Sequence, residues 1–252
     1  MLLLVLSALA SPPECTNIGW SFINVWVVRG ETGAIIVDTQ NEKNHKRIVR
    51  RLKKADVTPD DIRAVVVTHG HPDHAGSGAA LSEALGVPII AGKPDVERIE
   101  KGREEGKLPG TSGGANFLSK LIKHHFPGYT PDVAVEEPLD LAEYGVSGTA
   151  RVSGGHTSGS LVIELEGGTA LVGDLIRSGL VRKHTPRLHF FHEDIQASHS
   201  TLREVVKTQE TLLPGHGGAL TASKVERWLE NRAPKHEARI AKKQQKKADK
   251  QK

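Results

Sequence analysis

Short apolar runs alternate along this chain with turns rich in glycine and polar residues, and the runs are of strand length. Residues 2–6, which are Leu, Val and nothing else, read as a buried first strand closed by the loop Ser11-Pro12-Pro13. Residues 22–28 and 34–37 read as the next two strands, separated by a turn that contains Gly30 and Gly33. Ile48, Val49 and Leu52 stand at helical spacing within the basic stretch 43–54. A strand over 62–67, a small-residue helix over 78–85 and a short strand over 87–91 follow. Residues 92–135 break this rhythm: a helix is expected over 94–101, a glycine-rich loop over 106–114 and an amphipathic helix over 117–126 carrying Phe117, Leu118, Leu121, Ile122 and Phe126. Strand signals return over 149–152, 161–165, 169–172 and 211–213. The middle two pair as a hairpin across Glu166-Gly167-Gly168. Helices are expected over 197–208 and 221–230, the latter with Val225, Trp228 and Leu229 on one face. Strands interleaved with helices predict an α/β architecture.

Length and composition narrow this without changing it. The 252 residues suit one large domain or two small ones and are enough for a substantial core. An apolar content of 37% with 26 Gly and 13 Pro describes a globular, loop-rich chain. The single cysteine, Cys15, excludes an intrachain disulfide and a cysteine-based zinc site. The net charge of +4 is uneven: residues 235–252 hold eight Lys/Arg against two acids, which leaves residues 1–234 at net −2. From Pro234 onward the composition is that of a solvated helix or a disordered segment.

The residues that end the strands alter the picture most. Directly after the run Ala64-Val65-Val66-Val67 comes Thr68-His69-Gly70-His71-Pro72-Asp73-His74. Imidazole nitrogen and carboxylate oxygen are both good zinc ligands, and the Gly and Pro between them suit a tight loop at a strand end. Asp38, His156, Asp174 and His216 repeat the arrangement, each following a short apolar run beside glycine or at a loop start. Strand-end loops gather along one edge of a parallel or mixed sheet, so these residues together could supply a two-metal site.

With Asp38, the His69–His74 cluster, His156, Asp174 and His216 in a Pro-Gly-His-Gly setting all in order, the chain resembles the metallo-β-lactamase fold superfamily over roughly residues 20–232. The resemblance implies a four-layer αββα sandwich of two mixed β-sheets flanked by helices. It implies one hydrolase domain over residues 1–232, with 92–135 as a helical insert or lid, and a basic C-terminal tail over 233–252. It places His69, His71 and His156 on a first metal, Asp73, His74 and His216 on a second, and Asp174 between them. Asp38 would orient the ligand loop. The metals would be two Zn²⁺ per subunit, with iron or manganese as the other choices. A hydroxide bridging them would attack a carbonyl or phosphoryl centre, as metal binding lowers the pKa of water to about 7. Asp73 is then a candidate proton acceptor, although a liganded carboxylate is a weak base. His71 stands where flavodiiron relatives carry glutamate, which disfavours oxygen reduction. Asp174 stands where serum-type β-lactamases carry cysteine.

The expected reaction is hydrolysis of a small ester, thioester or lactone, as in the glyoxalase II and lactonase branches. The alternatives are a phosphodiesterase or nuclease of the same superfamily, supported by the basic tail, and a non-catalytic metal-binding protein. Arg177, Lys183 and the basic and histidine residues around them (Arg182, His184, Arg187, His189, His192) would form a cationic rim favouring an anionic substrate. Residues 1–10 lack a basic segment and are short for a signal peptide or a bilayer span, so the expectation is cytoplasmic, with export the other reading.

Overall fold

The computed structural model describes residues 11–103, 110–111, 125–179, 181 and 183–249. The strand expected over 2–6, most of the 106–114 loop, nearly all of the 117–126 helix and Arg182 lie outside them.

Two six-stranded sheets face each other. The first runs, in spatial order, β1 (Glu14–Asn17), β2 (Trp26–Arg29), β3 (Ala34–Val37), β4 (Ile62–Val67), β5 (Ile89–Gly92) and β6 (Val133–Val135). Its first three strands are antiparallel, and β3 to β6 are parallel. The second begins at one edge with β7 (Leu139–Asp140), β8 (Gly148–Val152), β9 (Leu161–Leu165) and β10 (Thr169–Gly173), joined antiparallel. A two-stranded ribbon, β11 (Arg177–Ser178) with β12 (Pro186–Arg187), intervenes in the chain. The second sheet then ends with β13 (Thr211–Pro214), parallel to β10, and β14 (Leu220–Thr221).

The apolar runs explain the layering. Successive side chains of a strand point to opposite faces. In β3, Ile35 and Val37 meet Ala64 and Val66 of β4 and Ile163 and Leu171 of the other sheet, forming the core between sheets. Ala34 and Ile36 point the other way, with Val65 and Val67, toward Ile48 of α1 (His45–Arg51) and Leu81 of α3 (Gly78–Leu85); the one-turn α2 (Pro72–Ala75) lies between these helices in the chain. A parallel strand covered on both faces reads as a continuous apolar run, which is why β4 is Ile-x-Ala-Val-Val-Val. Each fully buried Ile or Leu contributes about 1.5–3 kcal/mol. On the far face of the second sheet, Val162, Ala170, Val172 and Leu212 pack against Leu202 and Val205 and against Val225, Leu229 and Ala233. Those residues belong to two helices. With α4 (Val96–Lys101) counted on the first face, they are α5 (Ile195–Thr208) and α6 (Ala222–Ala248). The architecture is the expected αββα sandwich.

Three differences from the sequence reading have physical causes. The first described strand, β1, follows the Ser11-Pro12-Pro13 loop at residues for which no element is expected, and its mixed pattern is that of a sheet edge. The strand expected over 22–28 starts at Trp26, because Asn24 turns the backbone toward the second sheet by donating to the carbonyls of Pro214 (2.8 Å) and Gly217 (2.7 Å). The last helix runs far beyond residue 230, continuing through Pro234. No described helix is long and apolar enough to cross a membrane.

Candidate metal centre

The loops after β3, β4, β8, β10 and β13 meet at one edge of the sandwich, and each brings one or more of the polar strand-end residues. The donor atoms of His69, His71 and His156 lie within 4.8 Å of one another, as do those of Asp73, His74 and His216 and those of His69, His74 and Asp174. The structure thus brings together all seven residues expected at two metals. Asp73, on the first turn of α2, is the most open of them, its side chain 34% exposed, with Oδ2 3.4 Å from His216 Nε2.

The outward nitrogen of most of these rings is tied down. His74 Nδ1 lies 2.7 Å from Asp38 Oδ2, His156 Nδ1 2.9 Å from the Phe191 carbonyl, and His216 Nδ1 3.0 Å from the Phe22 carbonyl. Donating from Nδ1 leaves the lone pair on Nε2, aimed at the cluster. Asp38 does more than hold His74. It adopts φ +66°, a conformation Asp tolerates better than most residues. Its carboxylate also accepts from the Thr68 amide (2.8 Å) and the Thr68 hydroxyl, fixing the start of the histidine loop.

The electrostatics mark the centre as a seat for positive charge. Burial, then the repulsion of His74, His156 and His71, holds His69 well below the ordinary imidazole range. Burial with His71 and His189 does the same to His156. Burial opposes charge on His216 also, but Asp174 and Asp73 push it up to about 10; Asp174, Asp38 and Asp73 likewise raise His74. Asp174 stays ionised against its burial because His189, His216 and His74 surround it. His74 Nε2 and His216 Nε2 face each other at 3.3 Å, and His71 Nδ1 and His156 Nε2 at 2.9 Å. Paired lone pairs of this kind are repulsive unless a proton or a cation lies between them. His69 Nε2 and Asp174 Oδ1 are buried with no hydrogen-bond partner. Gly215 leaves room, since a Cβ there would collide with Asp174 Oδ1 and His74 Cε1. These residues fit divalent cations, and the donor set suits zinc, iron or manganese.

Of the residues expected to hold substrate, Arg177 lies near the centre. It is half-buried on β11, with its guanidinium 4.2 Å from the Phe190 ring centroid and Nε unpartnered. Lys183 is exposed in the turn of the β11–β12 ribbon.

Two residues escaped the sequence reading of the site. His189, expected only in a basic rim, is buried with Nε2 3.2 Å from Asp174 Oδ2. Asp95 is fully buried and accepts from the Gly70 amide (2.8 Å), the Thr157 hydroxyl (2.7 Å), the Gly159 amide (3.0 Å) and Arg98 (2.6 Å). It clamps the His69–His71 loop to the His156 loop. Arg98 extends the clamp to Glu193, whose amide donates to the His156 carbonyl. The sequence carries a signal for Asp95: like Asp38 and Asp174 it follows a strand, β5, although it falls within the helix expected over 94–101. Asp95→Ala should destabilise the chain by roughly 3 kcal/mol, as three buried donors lose their acceptor. Urea unfolding of the metal-free variant and parent measures this, and Asp95→Asn should lose less.

Comparison with known proteins gives concordant results. A sequence profile of the metallo-beta-lactamase superfamily matches residues 18–216. A metal-dependent hydrolase of Myxococcus xanthus (strain DK1622) is 27% identical over 110 residues, 44% of this chain and 37% of the relative, so the chain aligns to well under half that protein's length. The hydroxyacylglutathione hydrolase GloC of Haemophilus influenzae is 25% identical over 201 residues, 78% of this chain and 86% of the relative. A subclass B3 metallo-beta-lactamase of Bradyrhizobium japonicum superposes with a TM-score of 0.64 at 18% identity, covering 91% of this chain and 92% of that one, a likeness of fold.

Proposed function

The chain belongs to the metallo-beta-lactamase superfamily, and from that premise we propose that it is a binuclear metallo-hydrolase of a small ester, thioester or lactone. One observation carries the reading: two three-donor groups, His69/His71/His156 and Asp73/His74/His216, meet at one edge of the sandwich, with members of both within 3.8 Å of Asp174 Oδ2. His69, His71 and His156 would hold one metal, Asp73, His74 and His216 the other, with Asp174 shared. Two divalent cations there would supply a water activated near neutral pH and a Lewis acid for the substrate's carbonyl oxygen. The chain's own residues do the rest. Asp38 and the carbonyls of Phe191 and Phe22 keep three imidazoles in the tautomer that offers Nε2. Asp73, the most open donor, lies where a proton released on hydrolysis can leave. Arg177, stacked on Phe190 with an unpartnered Nε, would pair with a carboxylate or similar anionic group on the substrate. The resemblance to hydroxyacylglutathione hydrolases supports a thioester within this class.

The test is to strip the full chain with a chelator and reload it separately with zinc, manganese and iron. It is then assayed against a glutathione thioester, a lactone, an aryl ester and an aryl phosphodiester. Two metals per chain and turnover of a carbonyl substrate are expected, with Arg177→Ala raising KM for the anionic members about tenfold. Turnover confined to the phosphodiester would transfer the reading to the nuclease branch. Stoichiometric metal without any turnover would leave a metal-binding protein.

A further inference from the structure

Five imidazoles, not four, direct Nε2 at Asp174 Oδ2. The distances are 3.8 Å from His69, 3.3 Å from His74, 3.6 Å from His156, 3.3 Å from His216 and 3.2 Å from His189. His189 is the nearest, and it lies outside the seven-residue set. Its ring sits edge-on to His156 at 4.7 Å between centroids and stacks on His216 at 5.3 Å, so it bridges the two halves of the centre. Its donor atom forms a further three-member group with those of His156 and Asp174, all within 4.8 Å.

The loop that carries this ring is built to hold it there. Thr111 donates from Oγ1 to the His189 carbonyl (3.0 Å) and from its amide to the Phe190 carbonyl (2.8 Å). The next carbonyl, that of Phe191, accepts from His156 Nδ1. Arg177 covers Phe190. His192, equally buried and only three residues further on, shows that position in this loop does not by itself direct a ring inward: its Nδ1 bonds to Ser198 Oγ (2.9 Å) on α5. Burying an imidazole costs free energy unless its nitrogens find partners. At His189, Nε2 finds only the carboxylate already shared by four other rings.

We infer that His189 is an eighth donor of the metal centre, its Nε2 joining His156 and Asp174 on the side of the centre that faces residues 188–192. The inference rests on the metallo-hydrolase reading above, and it extends the donor set to six histidines. An eighth donor there would hold the metals more tightly than the seven-residue set alone.

The experiment uses the full chain loaded with cadmium-113 and read by proton–cadmium correlation NMR, in which each bound imidazole gives its own cross-peaks. Six coupled histidines are expected in the parent, five in His189→Gln and six in His192→Gln. Chelator competition should show at least one metal held at least about tenfold more weakly in His189→Gln, since losing a donor costs no less than losing one of the groups that orient the donors. Five coupled histidines in the parent would overturn the inference, and that count needs no variant, so a misfolded His189→Gln cannot obscure it. A chain that takes up no cadmium, zinc or cobalt would overturn the metallo-hydrolase reading and this inference together. Two bound metals with five histidines and intact hydrolysis would remove His189 alone.

Discussion

Replacing His71 by alanine should abolish hydrolysis and lower the metal content of the purified chain. His71 stands at the turn between β4 and α2, with its Nδ1 2.9 Å from His156 Nε2 and its ring edge-on to those of His69 and His156, at 4.6 and 4.7 Å. Removing it takes one imidazole from the His69/His71/His156 group and leaves the first metal more dependent on Asp174, which the second metal shares. Burial, which holds both remaining rings well below the ordinary imidazole range, would then act with one donor fewer around the cation. The expected loss in kcat/KM is at least about 10³-fold, or ~4 kcal/mol of transition-state stabilisation. Metal analysis should show the loss of one equivalent with the second retained, because Asp73, His74 and His216 remain together. Full activity with unchanged stoichiometry would sink the proposed site.

The second large effect is expected at Asp38, which touches no member of the first donor group but positions the second. Its carboxylate meets His74 Nδ1 at 2.7 Å and the Thr68 amide at 2.8 Å. Asp38→Ala would leave the Thr68 amide and the outer nitrogen of His74 buried and unpaired, and place a β-carbon at φ +66° without the polar side chain that tolerates it. A drop of roughly 10–100-fold in affinity for one metal is expected, together with about 2–4 kcal/mol of stability. Asp38→Asn keeps the Thr68 bonds but can present an amide to His74, favouring the wrong tautomer. It should therefore recover stability more than metal affinity. Isothermal titration with zinc and urea unfolding separate the two quantities. Equal recovery of both by the asparagine variant would contradict the tautomer argument.

The parts of this fold that sequence reveals are those where one face or both are fully buried. β3 and β4 are uninterrupted apolar runs because they lie covered on both sides, and the hairpin of β9 and β10 is announced by Glu166-Gly167-Gly168. β1 and the two-residue strands β7, β11, β12 and β14 carry no such signal. They sit at edges or in a ribbon, where backbone pairing and not side-chain burial defines them. The histidine loop could be read because its donors are adjacent in the chain, and Asp38, Asp174 and His216 because each ends an apolar run. His189 follows no such run; only folding carries residues 188–192 onto His156. The length of α6 was hidden by Pro234, normally a helix breaker, although Val225, Leu229 and Ala233 continue a stripe at four-residue spacing up to it.

The placement of the donors has a consequence for the life of the folded chain. Asp73 and His74 descend from the first sheet, while His156, Asp174 and His216 descend from the second, so a cation shared among them ties the two sheets together at one rim. Unfolding must pull those donors apart, and any metal that prefers the assembled rim draws the equilibrium toward the folded state by mass action, about 2.7 kcal/mol at a hundredfold excess over Kd. With the proposed metals bound, the supply of free divalent ion in the surroundings would govern how long each molecule persists against proteolysis.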